Sequence, residues 1–218
     1  MFALLSPSLV AILLAIVSRR SLAGLGRQHI AWWPLGFAAF GTEFALSSTP
    51  LGQQQIALTL GSTLWVAALV AMAAVPARNA WLRKSAPRWA WAVAAFGVLL
   101  NVLVVVANDG HMPQSQDARI AAGASAERVA GLASEPGWRN VAPMTGETRL
   151  AWLGDVLPEP ALLPIHNVMS PGDLLLAGGL AVAVYLAATP RVLATPTKIL
   201  EIRDEHLRTS ELPPLRIV

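Results

Sequence analysis

The apolar residues of this chain are gathered into long blocks: Phe2–Val17, Ile30–Ser48, Ile56–Val75, Ala90–Ala107 and Leu174–Thr189. A soluble core is built from stripes, with polar residues returning every few positions, so it has no use for such runs. A run of roughly 20 apolar residues matches the thickness of a bilayer's hydrocarbon core, and a helix satisfies every backbone N–H and C=O there without water. Charged residues make up 13% of the chain, against about a quarter in soluble domains. The expected fold class is therefore an all-α membrane protein of about five transmembrane helices. Its expected division is a four-helix transmembrane region over 1–107, an outer-face loop over 108–173, a fifth helix over 174–189 and a cytoplasmic tail over 190–218.

The charges orient the spans. Arg19, Arg20 and Arg27 follow the first run, and Arg78, Arg83, Lys84 and Arg88 follow the third. Five more basic residues lie after residue 189, whereas segment 108–173 holds only Arg119, Arg128, Arg139 and Arg149. Basic residues collect on the cytoplasmic side, so the N-terminus is placed outside and the C-terminus inside. The first run has its basic pair behind it rather than ahead, the reverse of a secretory signal, and is read as a retained helix. Trp32 and Trp33, and then Trp81, Trp89 and Trp91, stand where interfacial aromatic belts belong. Pro76 is read as the end of the third span. The high pI is explained by these flanking charges, and nucleic acid is not an expected partner.

Within 108–173, the spacing of Ile120, Ala124, Val129 and Leu132 predicts an amphipathic helix over Ser115–Ser134, capped by Ser115. Thr145–Leu153 is read as a short helix or an irregular piece. Pro158, Pro160 and Pro164 keep Leu157–Ile165 extended. Ser170-Pro-Gly-Asp173 has the form of a helix start: a serine cap, a first-turn proline and an acid three positions on. Thr197–Arg208 in the tail is compatible with a short surface helix.

Few residues carry candidate chemistry. The chain has no cysteine, which excludes disulfides, thiolate metal sites and thiol nucleophiles. Glu43 is the one acid within a span, and a carboxylate at that depth is a functional candidate by default. It shares a helical face with Gly36, Ala39 and Ser47, and a hydrogen bond to Thr59, Ser62 or Thr63 of the next span is the plainer expectation. Asn101 follows Gly97 by one turn and is expected to bond between helices, as the small stripe Gly179, Ala183 and Ala187 is expected to pack. The outer segment offers Asp109, His111, Asp155, His166 and Asp173. Their spacing fits no metal motif, and no catalytic constellation can be assembled from it, so neither a metal nor a catalytic residue is assigned.

The Arg19-Arg20 turn, the Asn108-Asp-Gly-His-Met-Pro113 exit, Thr148-Arg-Leu-Ala-Trp-Leu-Gly-Asp155 and Ser170-Pro-Gly-Asp173 occur in an order that resembles the DUF5317 family, small bacterial membrane proteins of unknown function. The exit departs from the family pattern at Asp109 and His111, where a variable residue and Gly-Gly are expected. The resemblance implies a multi-pass protein of the bacterial cytoplasmic membrane and brings no activity with it. The leading expectation is a non-catalytic scaffold or accessory subunit packing against other membrane proteins, as in an electron-transfer or light-harvesting assembly. A small ion or solute transporter using Glu43 and Asn101 is the alternative, and an outer-face membrane enzyme comes third. The bilayer is an expected partner; no cofactor is expected, with bound lipid or pigment left open.

Overall fold

The computed structural model describes residues 2–82, 88–131, 137–160 and 167–190. Arg83, Lys84, Leu132, Pro164, His166, Glu135 and the tail helix expected over Thr197–Arg208 lie outside them. The chain is mostly helical. Its long helices are α1 (Phe2–Val17), α3 (Trp33–Ser48), α4 (Gln55–Leu82), α5 (Arg88–Ala107) and α8 (Pro171–Ala187), with the short α2 (Ala23–Gly26) after α1. By length and apolarity α4 and α5 suffice to cross a membrane, while α1 and α8 contain shorter apolar helices. The helices correspond to the apolar runs within about three residues at most ends, α3 beginning at Trp33 and α8 running Pro171–Ala187, and the largest difference is at Pro76. Pro76 does not end α4, which continues six residues to Leu82. Proline removes one intrahelical bond and crowds the preceding turn, but the following turn is held from outside. Asn79, buried, donates through Nδ2 to the carbonyls of Val75 (2.8 Å) and Ala31 (3.0 Å), and accepts from the Ala31 N–H at 3.1 Å.

The helices form a row. α5 sits between α4 and α8, α3 packs chiefly on α4, and α1 chiefly on α8. Because α5 has neighbours on both flanks, its buried positions fill a broad face of the helix, while Phe96, Leu99, Leu103 and Val106 stand exposed on the other. The α5–α8 crossing is close because it is lined by residues without bulk: a Cβ on Gly179 would lie 2.6 Å from both the Ala90 carbonyl oxygen and the Ala94 nitrogen. Gly97 and Gly172 meet in the same seam, where the backbone of each would obstruct a side chain on the other. At one end of the row β1 (Arg20–Ser21) pairs antiparallel with β6 (Thr189–Pro190), and the Arg20 Nε–H donates to the Ala188 carbonyl at 2.7 Å.

The described residues of segment 108–173 cover the other end as a cap. It is pinned together by β2 (Met112–Gln114) lying parallel to β3 (Val141–Pro143), and by β4 (Leu157–Pro158) antiparallel to β5 (Val168–Met169). The amphipathic helix expected over Ser115–Ser134 is two helices, α6 (Gln116–Ala121) and α7 (Ala126–Gly131). Gly123 takes a left-handed conformation (φ 99°) between them. Ser115 caps α6, and the Ser125 hydroxyl accepts from the Arg128 N–H at 3.3 Å to start α7. The piece around Thr145–Leu153 is a turn followed by one 3₁₀ turn over Ala151–Leu153.

The cap is part of the core. Trp138, Met112 and Leu153 pack with Trp65, Leu69, Val104 and Val105 of the helices. The Trp138 indole lies against Gly61, where a Cβ would come within 2.6 Å of the ring, and its Nε1–H donates to Ser62 Oγ at 3.2 Å. Asn108 holds the far side, exchanging bonds with the backbone of Arg149 (2.9 and 3.0 Å). Two of the sequence motifs, the Asn108–Pro113 exit and Thr148–Asp155, are thereby laid side by side.

Candidate functional site

Three helix ends meet under the cap. Glu43 lies in the last two turns of α3, Asn101 in the last two of α5, and Asp173 in the first turn of α8. The start of α8 is fixed by a reciprocal cap: the Asp173 N–H donates to Ser170 Oγ (2.9 Å), and Asp173 Oδ2 accepts from the Ser170 N–H (3.1 Å). Asn101 joins it from the neighbouring helix, donating to Asp173 Oδ1 at 2.8 Å and accepting from the Ser170 hydroxyl at 2.9 Å. Both Asp173 oxygens are thus engaged. Among the described residues Glu43 has one hydrogen-bond partner, the amide of Asn140 in the cap, donating to Oε1 at 3.2 Å. The partner expected for Glu43 was a hydroxyl on the next span. Ser62 instead receives Trp138, and Thr59 turns back to its own helix, donating to the Gln55 carbonyl at 2.9 Å.

From the cap side comes a second polar group. Asp155 is held by backbone bonds to Pro113 (2.8 Å) and Ser115 (2.9 Å), which lay it beside β2. Its Oδ2 accepts from Gln114 Nε2 at 3.2 Å, and Gln114 Oε1 accepts from the Arg119 guanidinium at 2.6 Å. Gln114 therefore separates acid from base and bonds both. Burial, reinforced by the charge of Asp173 and opposed by the Gln114 bond and by Arg119, pushes the Asp155 carboxyl up to about 8. Burial and the neighbouring Arg139 pull the Arg119 guanidinium down from its usual value, with Asp155 opposing.

These groups line one cavity of about 320 Å³, within the range of small-ligand pockets. Its helix side is largely apolar, with Phe40, Trp65, Leu69, Met72, Val98 and Leu176, and its cap side is polar, with Gln114, Arg119, Asn140, Asp155 and Asn167. Two donors on its wall lack acceptors among the described residues: Trp65 Nε1, on a side chain only 5% exposed, and Arg119 Nε. Buried polar atoms are nearly always paired, so two unpaired donors on residues of one cavity wall set this region apart from the rest of the packing.

The candidate residues named from the sequence divide into two places. Glu43, Asn101, Asp155 and Asp173 come together on the cavity. Asp109 and His111 line a separate recess of about 360 Å³ with Asn108, Glu147 and Arg149, and His166 lies outside the described residues. Among the described residues no three histidine or acidic groups come together as a metal would require. Asp155, grouped with Asp109 and His111 as an outer-face candidate, lines the first cavity, whereas those two line the second recess. Sequence reasoning missed Trp65, Gln114, Arg119 and Asn140. Of these only Arg119 carried a visible signal, a lone cation five residues after a buried-strand glutamine.

The fold and site define a mostly helical protein, with two helices of membrane-crossing length and a cap that closes a mixed acidic, basic and apolar cavity against helix ends. The chain belongs to the DUF5317 family, a family of unknown function whose model matches residues 28–185. No curated protein and no solved structure matches the chain.

Proposed function

We propose that the protein spans the bacterial inner membrane five times, N-terminus outside, and holds a small ligand in the cavity beneath its outer cap. The five-span reading is supported by the outward faces of the row. Leu9 and Leu13 of α1, Phe37 and Phe44 of α3, and Phe96, Leu103 and Val106 of α5 are all at least half-exposed, the surface that lipid would cover. α1 and α3, at 16 residues each, reach roughly 24 Å, and the bilayer accommodates such a shortfall by local thinning. The distribution of arginine and lysine puts the cap outside.

The ligand reading rests on one observation: side chains from α3, α6, α8 and the segment before β4 (Glu43, Arg119, Asp173 and Asp155) line one cavity whose opposite side is apolar. A scaffold places its contacts on its surface, whereas this chain turns Glu43, Asp155 and Asp173 toward a cavity. Glu43 and Asn101, the pair a transporter would use, are both on the cavity wall, so movement of the ligand across the bilayer is a natural extension. The accessory-subunit reading keeps one point in its favour, the uncovered faces of α1 and α3.

Native mass spectrometry of the protein extracted from its own membrane in mild detergent separates the two. The expected result is a small-molecule adduct on the wild type that is lost from Asp155→Asn. A bare chain that instead carries a stoichiometric protein partner overturns the ligand reading in favour of the accessory subunit.

A further inference from the structure

The wall of the cavity is graded with depth. On three helices its residues come in pairs three positions apart: Phe40 and Glu43 on α3, Val98 and Asn101 on α5, and Asp173 and Leu176 on α8. Residues at that spacing share a helix face, with a rise of about 4.5 Å between them. α3 and α5 run toward the cap and α8 runs away from it, so the polar member of every pair is the one nearer the cap. On α4, Trp65, Leu69 and Met72 line the same cavity and carry its apolar part about 10 Å along the helix. The cavity thus has a polar tier under the cap and an apolar tier one turn deeper among the helices. α3 and α8 both border it yet share no extended packing among the described residues, so that flank is not closed by helix packing.

The polar tier selects against negative charge. An anionic head would be set against Glu43, Asp155 and Asp173, while Arg119 is held on the cap side by its bond to Gln114 at 2.6 Å. Glu43 and Asp173 bring carboxyl oxygens to the helix side of the tier, and such oxygens suit a group that donates. Asp155, pushed up to about 8, keeps its proton at neutral pH and asks for no counter-charge, so a neutral donor serves as well as a cationic one. A volume of about 320 Å³, at roughly 30 Å³ for a water-sized group, holds roughly ten non-hydrogen atoms. A head of one or two atoms and a short stretch of hydrocarbon fill it.

Resting on the ligand reading above, we infer that the cavity binds an amphiphile made of a hydrocarbon chain and a small head, a hydroxyl or an amine, that donates hydrogen bonds and bears no negative charge. The head sits at Glu43 beneath the cap, the chain lies along Phe40, Leu69, Met72 and Leu176, and the length that exceeds the cavity leaves between α3 and α8.

The test uses full-length protein in lipid nanodiscs and three photoreactive probes of one chain length, dodecanol, dodecylamine and dodecanoate, each with a diazirine partway along the chain. The hydroxyl or amine probe should label the peptides that carry Leu69, Met72 or Leu176, unlabelled dodecanol should compete, and dodecanoate should not label them. The stronger of the two labels identifies the head. Dodecanoate labelling these peptides as strongly overturns the inference, as does labelling confined to outward residues such as Phe96 and Leu103 or unaffected by the competitor. Glu43→Gln should lower labelling about tenfold, the effect of losing one hydrogen bond to a charged group. Met72→Trp and Phe40→Trp, which fill the apolar tier from half-buried positions, should lower it about as much. His111→Ala, in the separate recess, should leave it unchanged. Equal labelling of wild type, Glu43→Gln and Met72→Trp also overturns the assignment. Ethanolamine competing as well as dodecanol shows that the chain is not recognised, which refutes this inference and leaves the ligand reading standing. A chain that takes no probe and carries no small molecule from its own membrane removes both.

Discussion

At neutral pH the Asp155 carboxyl carries its proton, because burial and the nearby Asp173 charge hold it up to about 8. An acid that binds its proton more tightly folded than unfolded stabilises the fold at low pH. That contribution is complete below the ordinary carboxylate range, declines as pH rises, and is gone once pH passes about 8. Thermal unfolding of the purified protein should therefore fall in midpoint between pH 5 and pH 9. In Asp155→Asn the fall should be much shallower, and the variant should be the more stable of the two above pH 8. A wild-type midpoint that is flat or rising over this range would show that the carboxyl is not buried as described. The residue-level features differ in how far the sequence exposes them. The Ser170–Asp173 cap is legible because all its bonds span three positions, and Asn101 because an amide stands out in an apolar run. The bond from Asn140 to Glu43 crosses 97 positions, and Trp65 looks like any other large apolar residue of its span until its N–H is found without an acceptor. Nothing local marks either one.

The seam between α5 and α8 makes a sharp distinction between two adjacent glycines. A Cβ on Gly179 would press on the Ala90 and Ala94 backbone at 2.6 Å, whereas one on Gly178 would meet nothing within 4 Å. Gly179→Ala should destabilise the protein by about 1–3 kcal/mol through overpacking, and Gly178→Ala should be neutral or slightly stabilising, as alanine is the better helix former. Equal midpoints for the two variants in thermal unfolding would contradict the packing. The cap has a comparable anchor in Trp138. Trp138→Ala should cost about 3–5 kcal/mol, and limited proteolysis should then cut within 108–173 first; a variant as resistant as wild type would mean that the cap is held elsewhere. The helices of the row were readable from apolar runs, the largest misjudged limit being Pro76, where Asn79 holds the following turn from the tertiary structure. The cap was far less readable. Of the face predicted over Ser115–Ser134, Val129 on α7 and Ala124 in the turn before it are buried, but Ile120 on α6 is exposed; the left-handed turn at Gly123 breaks the axis, and a lone glycine inside a helical pattern does not declare its φ.

At the scale of the whole molecule, the five-span reading makes a prediction that the cysteine-free sequence allows to be tested directly. Gly26 and Gly146 both have open space where a side chain would go, one in the basic connection after α1 and one in the cap. In intact cells stripped of their outer barrier, Gly146→Cys should react with a membrane-impermeant thiol reagent added outside, and Gly26→Cys only after permeabilisation. The opposite pattern would invert the topology, and reaction at both positions would remove the membrane from between them. The order of helices in the row has a further consequence for how such a chain is made. α1 leaves the ribosome before the other long helices, yet its chief neighbour is α8, and the bond from Arg20 to Ala188 that fastens them spans 168 positions. During synthesis α1 must wait beside the growing bundle without its partner, and the two are fastened only when α8, the last of the described helices, arrives. A stalled or shortened chain would leave that first helix unmatched, which gives membrane quality control a simple mark by which to tell an unfinished copy from a finished one.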